Sequence, residues 1–231
     1  MKDTPTVAIH QPNHLPWLGY FRKVARADVF VFLDDAQFSK GSYINRVRVL
    51  AGGRARWLTV PVSASLGQPI CRTMIAPGDW RGAHRERLRA YYRDAPHFDT
   101  VFPVLAALVD AAAADTIADA NIGMIRSLAD RLGLAPEFRL SSQMGCADGA
   151  GDARLAALVA AAGGRIYLSG GGGAKYQDET TFARSGIALA YNDTQFPAYD
   201  QGGAPFVPGL SVVDALFRIG FAATARLIRG Q

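Results

Sequence analysis

Residues 10–14, His-Gln-Pro-Asn-His, place two imidazoles and two carboxamides within five positions. Imidazole titrates near neutrality, so a histidine at the end of a strand is suited to general acid–base work. Gln11 and Asn13 each offer a donor and an acceptor for a polar substrate. His10 and His14 are one helical turn apart, but Pro12 breaks the helix that would align two metal ligands. No metal site is expected. A structural reading competes: Asn13 could cap a helix and His10 could satisfy buried backbone groups. The density of polar groups favours chemistry for His10, with Gln11, Asn13 and His14 as substrate contacts.

Two further clusters carry similar groups. In FLDDAQFSKGSYINRVRV, residues 32–49, Asp34 and Asp35 close an apolar run, and strand alternation points them to opposite sides. Asp34 is expected to orient His10 or hold a sugar hydroxyl, with Asp35, Gln37, Asn45 and Arg46 as substrate contacts. Arg46 could clamp a phosphate or carboxylate through two parallel hydrogen bonds. In YLSGGGGAKYQ, residues 167–177, a strand ends at Ser169 and Gly170, and the glycines allow an anion close to the backbone. Lys175 and Tyr176 would complete that site, Lys175 by stabilising developing charge. The spacing is neither a Walker A loop nor GxGxxG. Tyr20, just beyond the opening loop, joins the expected substrate contacts.

The elements that must position these residues alternate. Apolar runs at 7–10 and 29–33 flank a helix expected from about Leu15 to Ala27, with Pro16 in its first turn. This is a βαβ unit, whose strands end at the same sheet edge, where open α/β sheets bind ligands. The alternating stretch 45–62 centres on Gly52-Gly53 and reads as an antiparallel hairpin. Helices are expected at 80–92, 103–114 and 116–132, then strands at 137–142, 165–170 and 187–193. A helix from about 152 to 162, a short one near Phe182 and one or two closing helices complete the chain. Trp80, His84, Leu88 and Tyr91 form a packing stripe. Residues 193–208, rich in Gly and Pro, are expected to be an ordered loop near the site. The fold class is α/β: one domain, residues 1–231, with a largely parallel Rossmann-like sheet, helices on both faces and an inserted antiparallel hairpin.

The totals bound the rest. Of 231 residues, 49% are hydrophobic and 19% charged, which excludes a disordered chain. No apolar run is long enough to cross a bilayer, and the first residues do not resemble a signal peptide. A soluble, cytoplasmic protein without a membrane partner is expected. Cys71 and Cys146 sit in no metal or redox spacing. The net charge of +5 owes much to arginines, densest at Arg81, Arg85, Arg87, Arg89 and Arg93. That run could meet an RNA backbone or be a solvated helix face.

Taken in order, HQPNHLPWLGYF, ADVFVFLDDAQFSK, NRVRV, WLTVPV, WRGAHRERLRAYYRDAPHF, YLSGGGGAKYQ and SVVDALF resemble the WbqC-like family over nearly the whole chain. His14 stands where the family usually has Tyr, and the glycine run is longer than the family's Ser-Gly-Pro pattern. The resemblance implies a place in bacterial polysaccharide, amino-sugar or natural-product biosynthesis. It suggests a transferase that moves an acyl or aminoacyl group onto a small-molecule amine, with His10 as general base. No resident cofactor is expected; a nucleotide or an aminoacyl-tRNA would be the donor, and tRNA a partner at the arginine-rich helix. Two other readings stand beside this one. They are a nucleotide-dependent nucleotidyltransferase or ligase on a nucleotidylyltransferase-like sheet, and a non-catalytic module binding a nucleotide-linked sugar. The HxGH spacing of the former is not met by His10 and His14.

Overall fold

The computed structural model describes residues 4–146, 149–175, 177–203 and 205–231. The chain begins β1 (Thr6–His10), α1 (Leu18–Arg26), β2 (Val29–Phe32), then hairpin β3 (Arg46–Ala51) and β4 (Arg54–Thr59). Short strands β5 (Val62–Ser63) and β6 (Met74–Ile75) lead into helices α2 (Trp80–Tyr92), α3 (Phe98–Ala111) and α4 (Ile117–Arg131). The remainder alternates: β7 (Glu137–Leu140), α5 (Gly151–Ala161), β8 (Ile166–Gly170), α6 (Glu179–Arg184), β9 (Ala188–Asn192) and α7 (Val212–Arg229).

Five strands form one parallel sheet in the order β7-β2-β1-β8-β9. The chain builds outward from β1 to one side, then returns to build β8 and β9 on the other. This is the Rossmann-like order, and its switch point lies between β1 and β8. Ala8 pairs with Leu168, so continuing the register sets His10 beside Gly170.

Strand parity divides the apolar residues between two cores. Val7, Ile9, Val29, Val31 and Tyr167 pack with Leu158 and Val159 of α5. Ala8, Phe30, Phe32 and Leu168 face a larger cluster drawn from α1–α4, α7 and the hairpin. Both faces are therefore covered, which parallel sheets require. His10 shares the parity of Ala8 and emerges on the α1 side. The hairpin turns through Gly52 and Gly53, with φ of 57° and 72°, the two left-handed residues a type I′ turn needs.

Two helix starts differ from expectation. The first begins at Leu18 rather than near Leu15, because Pro16 and Trp17 are held extended against residues 211 and 212. Pro16 thus lies outside the helix, and Asn13 does not cap it. The third begins at Phe98, not Pro103, which sits inside it. Its start is anchored by the His97 amide, which donates to the Phe217 carbonyl. The closing helix is two helical segments that meet in a kink at Gly220, with φ 75° and ψ 172°. A Cβ there would lie 2.9 Å from the His97 ring, in a backbone region only glycine occupies at ease. Gly220→Ala is expected to cost roughly 2 kcal/mol, read as a lowered urea midpoint at unchanged m-value. Among the described residues no helix is long and apolar enough to cross a membrane.

Candidate functional site

The loop from Gln11 to Trp17 is fixed by residues far away in sequence. Asn121 on α4 donates through Nδ2 to the carbonyls of Pro12 (2.9 Å) and Ile44 (2.7 Å). The His14 amide donates to the Tyr43 carbonyl at 2.9 Å, and the Ser211 hydroxyl to the Leu15 carbonyl at 2.6 Å. These ties hold Leu15 at φ 38°, a left-handed conformation that a leucine adopts only when its surroundings impose it.

The loop leaves His10 at the wall of a cavity of about 390 Å³ at the switch point. Trp17, Tyr20 and Lys23 from the α1 side, glycines 170–173 and Asn192 complete most of the lining. His10 Nδ1 donates to the Gln11 carbonyl at 3.1 Å, which also accepts the Tyr20 hydroxyl at 3.1 Å. The ring packs edge-on against Tyr20 and Trp17, with centroids 4.7 and 5.8 Å away. The backbone acceptor therefore fixes the tautomer, and Nε2 keeps a lone pair that no donor among the described residues engages. Burial, reinforced by the Lys23 charge, lowers the pKa of His10 to about 3. At neutral pH it is a neutral imidazole.

Lys23 was not among the residues singled out in the sequence, although it lies one turn beyond Tyr20 on the same helix face. It is 3% exposed, and Nζ donates to the Ile9 carbonyl at 2.7 Å. No carboxylate among the described residues pairs with it. Desolvation lowers its pKa to about 7. A buried amine in this condition gains most from an anionic ligand, which restores the charge it has lost.

The glycine run contributes backbone to the cavity, and its composition is partly steric. A Cβ at Gly173 would fall 2.3 Å from Ser169 Oγ and 2.7 Å from Gln177 Oε1. A Cβ at Gly171 would approach the Asn192 carbonyl at 3.2 Å. Ser169 is buried at the end of β8, and Asn192 donates to the Gly19 carbonyl at 2.8 Å, tying β9 to α1. The loop after β9 reaches the cavity through Thr194.

The other candidate residues fall elsewhere. Asp34 accepts from Ser142 N (3.0 Å), Ser142 Oγ (2.6 Å) and Ser141 Oγ (3.0 Å) beyond β7. Asp35 bonds Ser141 and pairs with Arg154 of α5. Both carboxylates brace the β2–β7 side of the edge, and neither lines the His10 cavity. Gln37 is exposed and bridges to Pro69. Asn45 is buried, donates to the Val60 carbonyl at 3.0 Å, and lines a separate cavity of about 400 Å³ with Phe38 and Lys40. The Arg46 guanidinium lies 4.1 Å over the Trp57 ring. Lys175 is exposed and does not line the switch-point cavity. Tyr176 lies outside the described residues.

His14 parts company with His10. Its Nδ1 donates to Asn121 Oδ1 at 3.1 Å, and its Nε2 lies 3.1 Å from His84 Nε2. His84 in turn donates from Nδ1 to the Trp80 carbonyl at 2.9 Å. All three side chains are fully buried, and burial lowers His14 to about 4 and His84 further. The Trp80–His84–Leu88 stripe is thus a packing stripe that also sets a buried imidazole edge-on against the loop. The arginines of α2 turn largely to α3: Arg85 pairs with Asp110, Arg89 stacks over Phe102, and Arg81 reaches the Ala112 carbonyl. Among the described residues no group of three or more His, Cys, Asp or Glu could hold a metal ion.

A protein of Mycobacterium tuberculosis, Rv1507c, itself uncharacterized, is 32% identical to this chain over 220 residues, which span 94% of this chain and 95% of that one. No solved structure matches. The sequence profile of the WbqC-like protein family matches residues 11–226, from the residue after His10 almost to the end of α7. The chain belongs to the WbqC-like protein family.

Proposed function

We propose that the chain is a transferase that forms an amide, moving an acyl or aminoacyl group onto an amine acceptor in amino-sugar, polysaccharide or natural-product biosynthesis. The observation that carries this reading is the pairing, in one switch-point cavity, of an oriented neutral imidazole with a buried lysine that has no anionic partner among the described residues. Acyl transfer to an amine needs a base for the ammonium proton and positive charge for the developing oxyanion. His10 Nε2 supplies the first and Lys23 the second. The two are coupled: while Lys23 is charged and unpaired, it suppresses protonation of His10. A donor anion seated on Lys23 relieves that repulsion and raises the proton affinity of the imidazole. Donor binding thereby arms the base.

The test is transfer from bulk aminoacyl-tRNA and from acyl thioesters to a panel of nucleotide-linked amino sugars, followed by mass spectrometry of the amide. His10→Ala is expected to slow the reaction about a hundredfold while leaving the melting curve close to wild type. Product formation at the wild-type rate in that variant, or no transfer from any donor, would sink the proposal.

A further inference from the structure

The outward face of the β3–β4 hairpin carries groups that transfer chemistry leaves unexplained. Arg48 stands directly opposite Trp57, and Arg46 opposite Thr59, on one side of the strand pair. Trp57 is 44% exposed, with the Arg46 guanidinium over its ring and Tyr43 tilted against it at 5.7 Å. An arginine resting on a tryptophan is common on protein surfaces. Here, however, Nε of both Arg46 and Arg48 is buried with no hydrogen-bond acceptor, and among the described residues neither guanidinium meets a carboxylate. Among the described residues the one side-chain hydrogen bond from Arg48 goes to the Pro208 carbonyl at 3.4 Å.

This face is also joined to the cavity. Ring contacts run from Trp57 to Tyr43, from Tyr43 to Trp17 at 5.4 Å, and from Trp17 to His10 at 5.8 Å. Trp17 lines both the His10 cavity and an adjoining cleft that passes Pro208 and Gly209. A Cβ on Gly209 would sit 3.2 Å from Arg48 Nη2, so glycine keeps that end of the cleft clear. An exposed aromatic face beside two guanidiniums without carboxylate partners matches a base next to its phosphates.

We propose that the outward hairpin face is the seat for the nucleotide part of the substrate whose reactive end enters the His10 cavity. The base stacks on Trp57 while Arg46 and Arg48 hold phosphate oxygens. The assignment rests on the reading of that cavity as the transfer site, and it moves nucleic-acid contact from α2, whose arginines largely engage α3, to the hairpin. Base and phosphate could come from the single-stranded end of an RNA or from the nucleoside diphosphate of an activated sugar.

Binding by the full chain separates these sources without any turnover. The probes are a fluorescently labelled single-stranded RNA ending in CCA, followed by anisotropy, and uridine and thymidine diphosphates, followed by calorimetry. Trp57→Ala is expected to weaken whichever probe binds about tenfold, with Trp57→Tyr restoring most of the loss. Arg46→Ala/Arg48→Ala is expected to reduce the salt slope for RNA by about 1.4, as two lost phosphate contacts on a single strand require. Arg87→Ala/Arg93→Ala on α2 should leave that slope unchanged. Binding of RNA, of diphosphates or of both supports the seat and names its source. Binding of neither, or equal binding by the hairpin variants, overturns it. Intact binding without transfer would instead count against the transferase reading alone.

Discussion

Lys23→Met is expected to yield a protein that melts higher than wild type and no longer turns over. The side chain is buried against Ile9 and Tyr167, and one carbonyl is its only hydrogen-bonded compensation among the described residues. Its pKa falls from the ordinary 10.5 to about 7 in the folded protein. Between those two values the unfolded chain binds a proton that the folded chain releases, so wild-type stability rises with pH across that window. Below pH 7 almost the whole penalty is present, on the order of 5 kcal/mol. Methionine fills a similar volume without charge. At pH 6.5 it is expected to raise the melting temperature by about 5 °C, since the Ile9 carbonyl left unsatisfied in the interior offsets more than half of the gain, and a kilocalorie moves a chain of this size by roughly 2–4 °C. The advantage should shrink toward pH 10. Activity should fall roughly a thousandfold, because the variant has neither the charge that seats a donor anion nor the one that stabilises the oxyanion. Calorimetry at pH 6.5, 8 and 10 beside the transfer assay decides the matter. A variant that melts lower and still turns over would remove Lys23 from the site.

The three central parallel strands were legible because their signal is local: short apolar runs, buried on both faces, punctuated by Gly, Asp and Asn. The hairpin was legible for the same reason, since Gly52-Gly53 announces its own turn. The loop at 11–17 was legible as a place but not as a geometry. What holds it comes from Tyr43, Asn121 and Ser211, and no periodicity in the sequence relates these to residue 14. That is also why His10 and His14, alike on paper, separate into a cavity wall and a buried tie. The aspartates show the limit of edge arguments. Asp34 and Asp35 do end at the same edge as His10, but only the strand order reveals that they face β7 while the switch point opens toward β8. Lys23 had a readable signal, its place one turn from Tyr20 on the helix that follows the loop; that Arg22 and Arg26 turn instead to carbonyls of neighbouring segments is seen only in the fold.

If that distant support is what builds the site, removing it should damage stability and catalysis together. Asn121→Ala strips donors from the Pro12 and Ile44 carbonyls and the acceptor from His14 Nδ1, all in the interior. An orphaned buried polar group costs about 1–3 kcal/mol, and water entering the space left by the side chain recovers part of that. The expected loss is about 4 kcal/mol, a fall in melting temperature of roughly 8–16 °C. Asn121→Leu separates polarity from packing. It keeps most of the volume and none of the hydrogen bonds, so it should be as damaging as alanine if the ties matter, and close to wild type if Asn121 only fills space. The same variants should slow transfer by an amount that stability does not explain. Leu15 has no reason to stay at φ 38° once Pro12 is released, and the Gln11 carbonyl that orients His10 lies one residue before that proline. Measured at a temperature where the variant is still folded, a fall in kcat at near-constant KM would place the defect in the positioning of the base. Unchanged kcat would mean that β1 alone holds His10, and that the loop serves the fold rather than the chemistry.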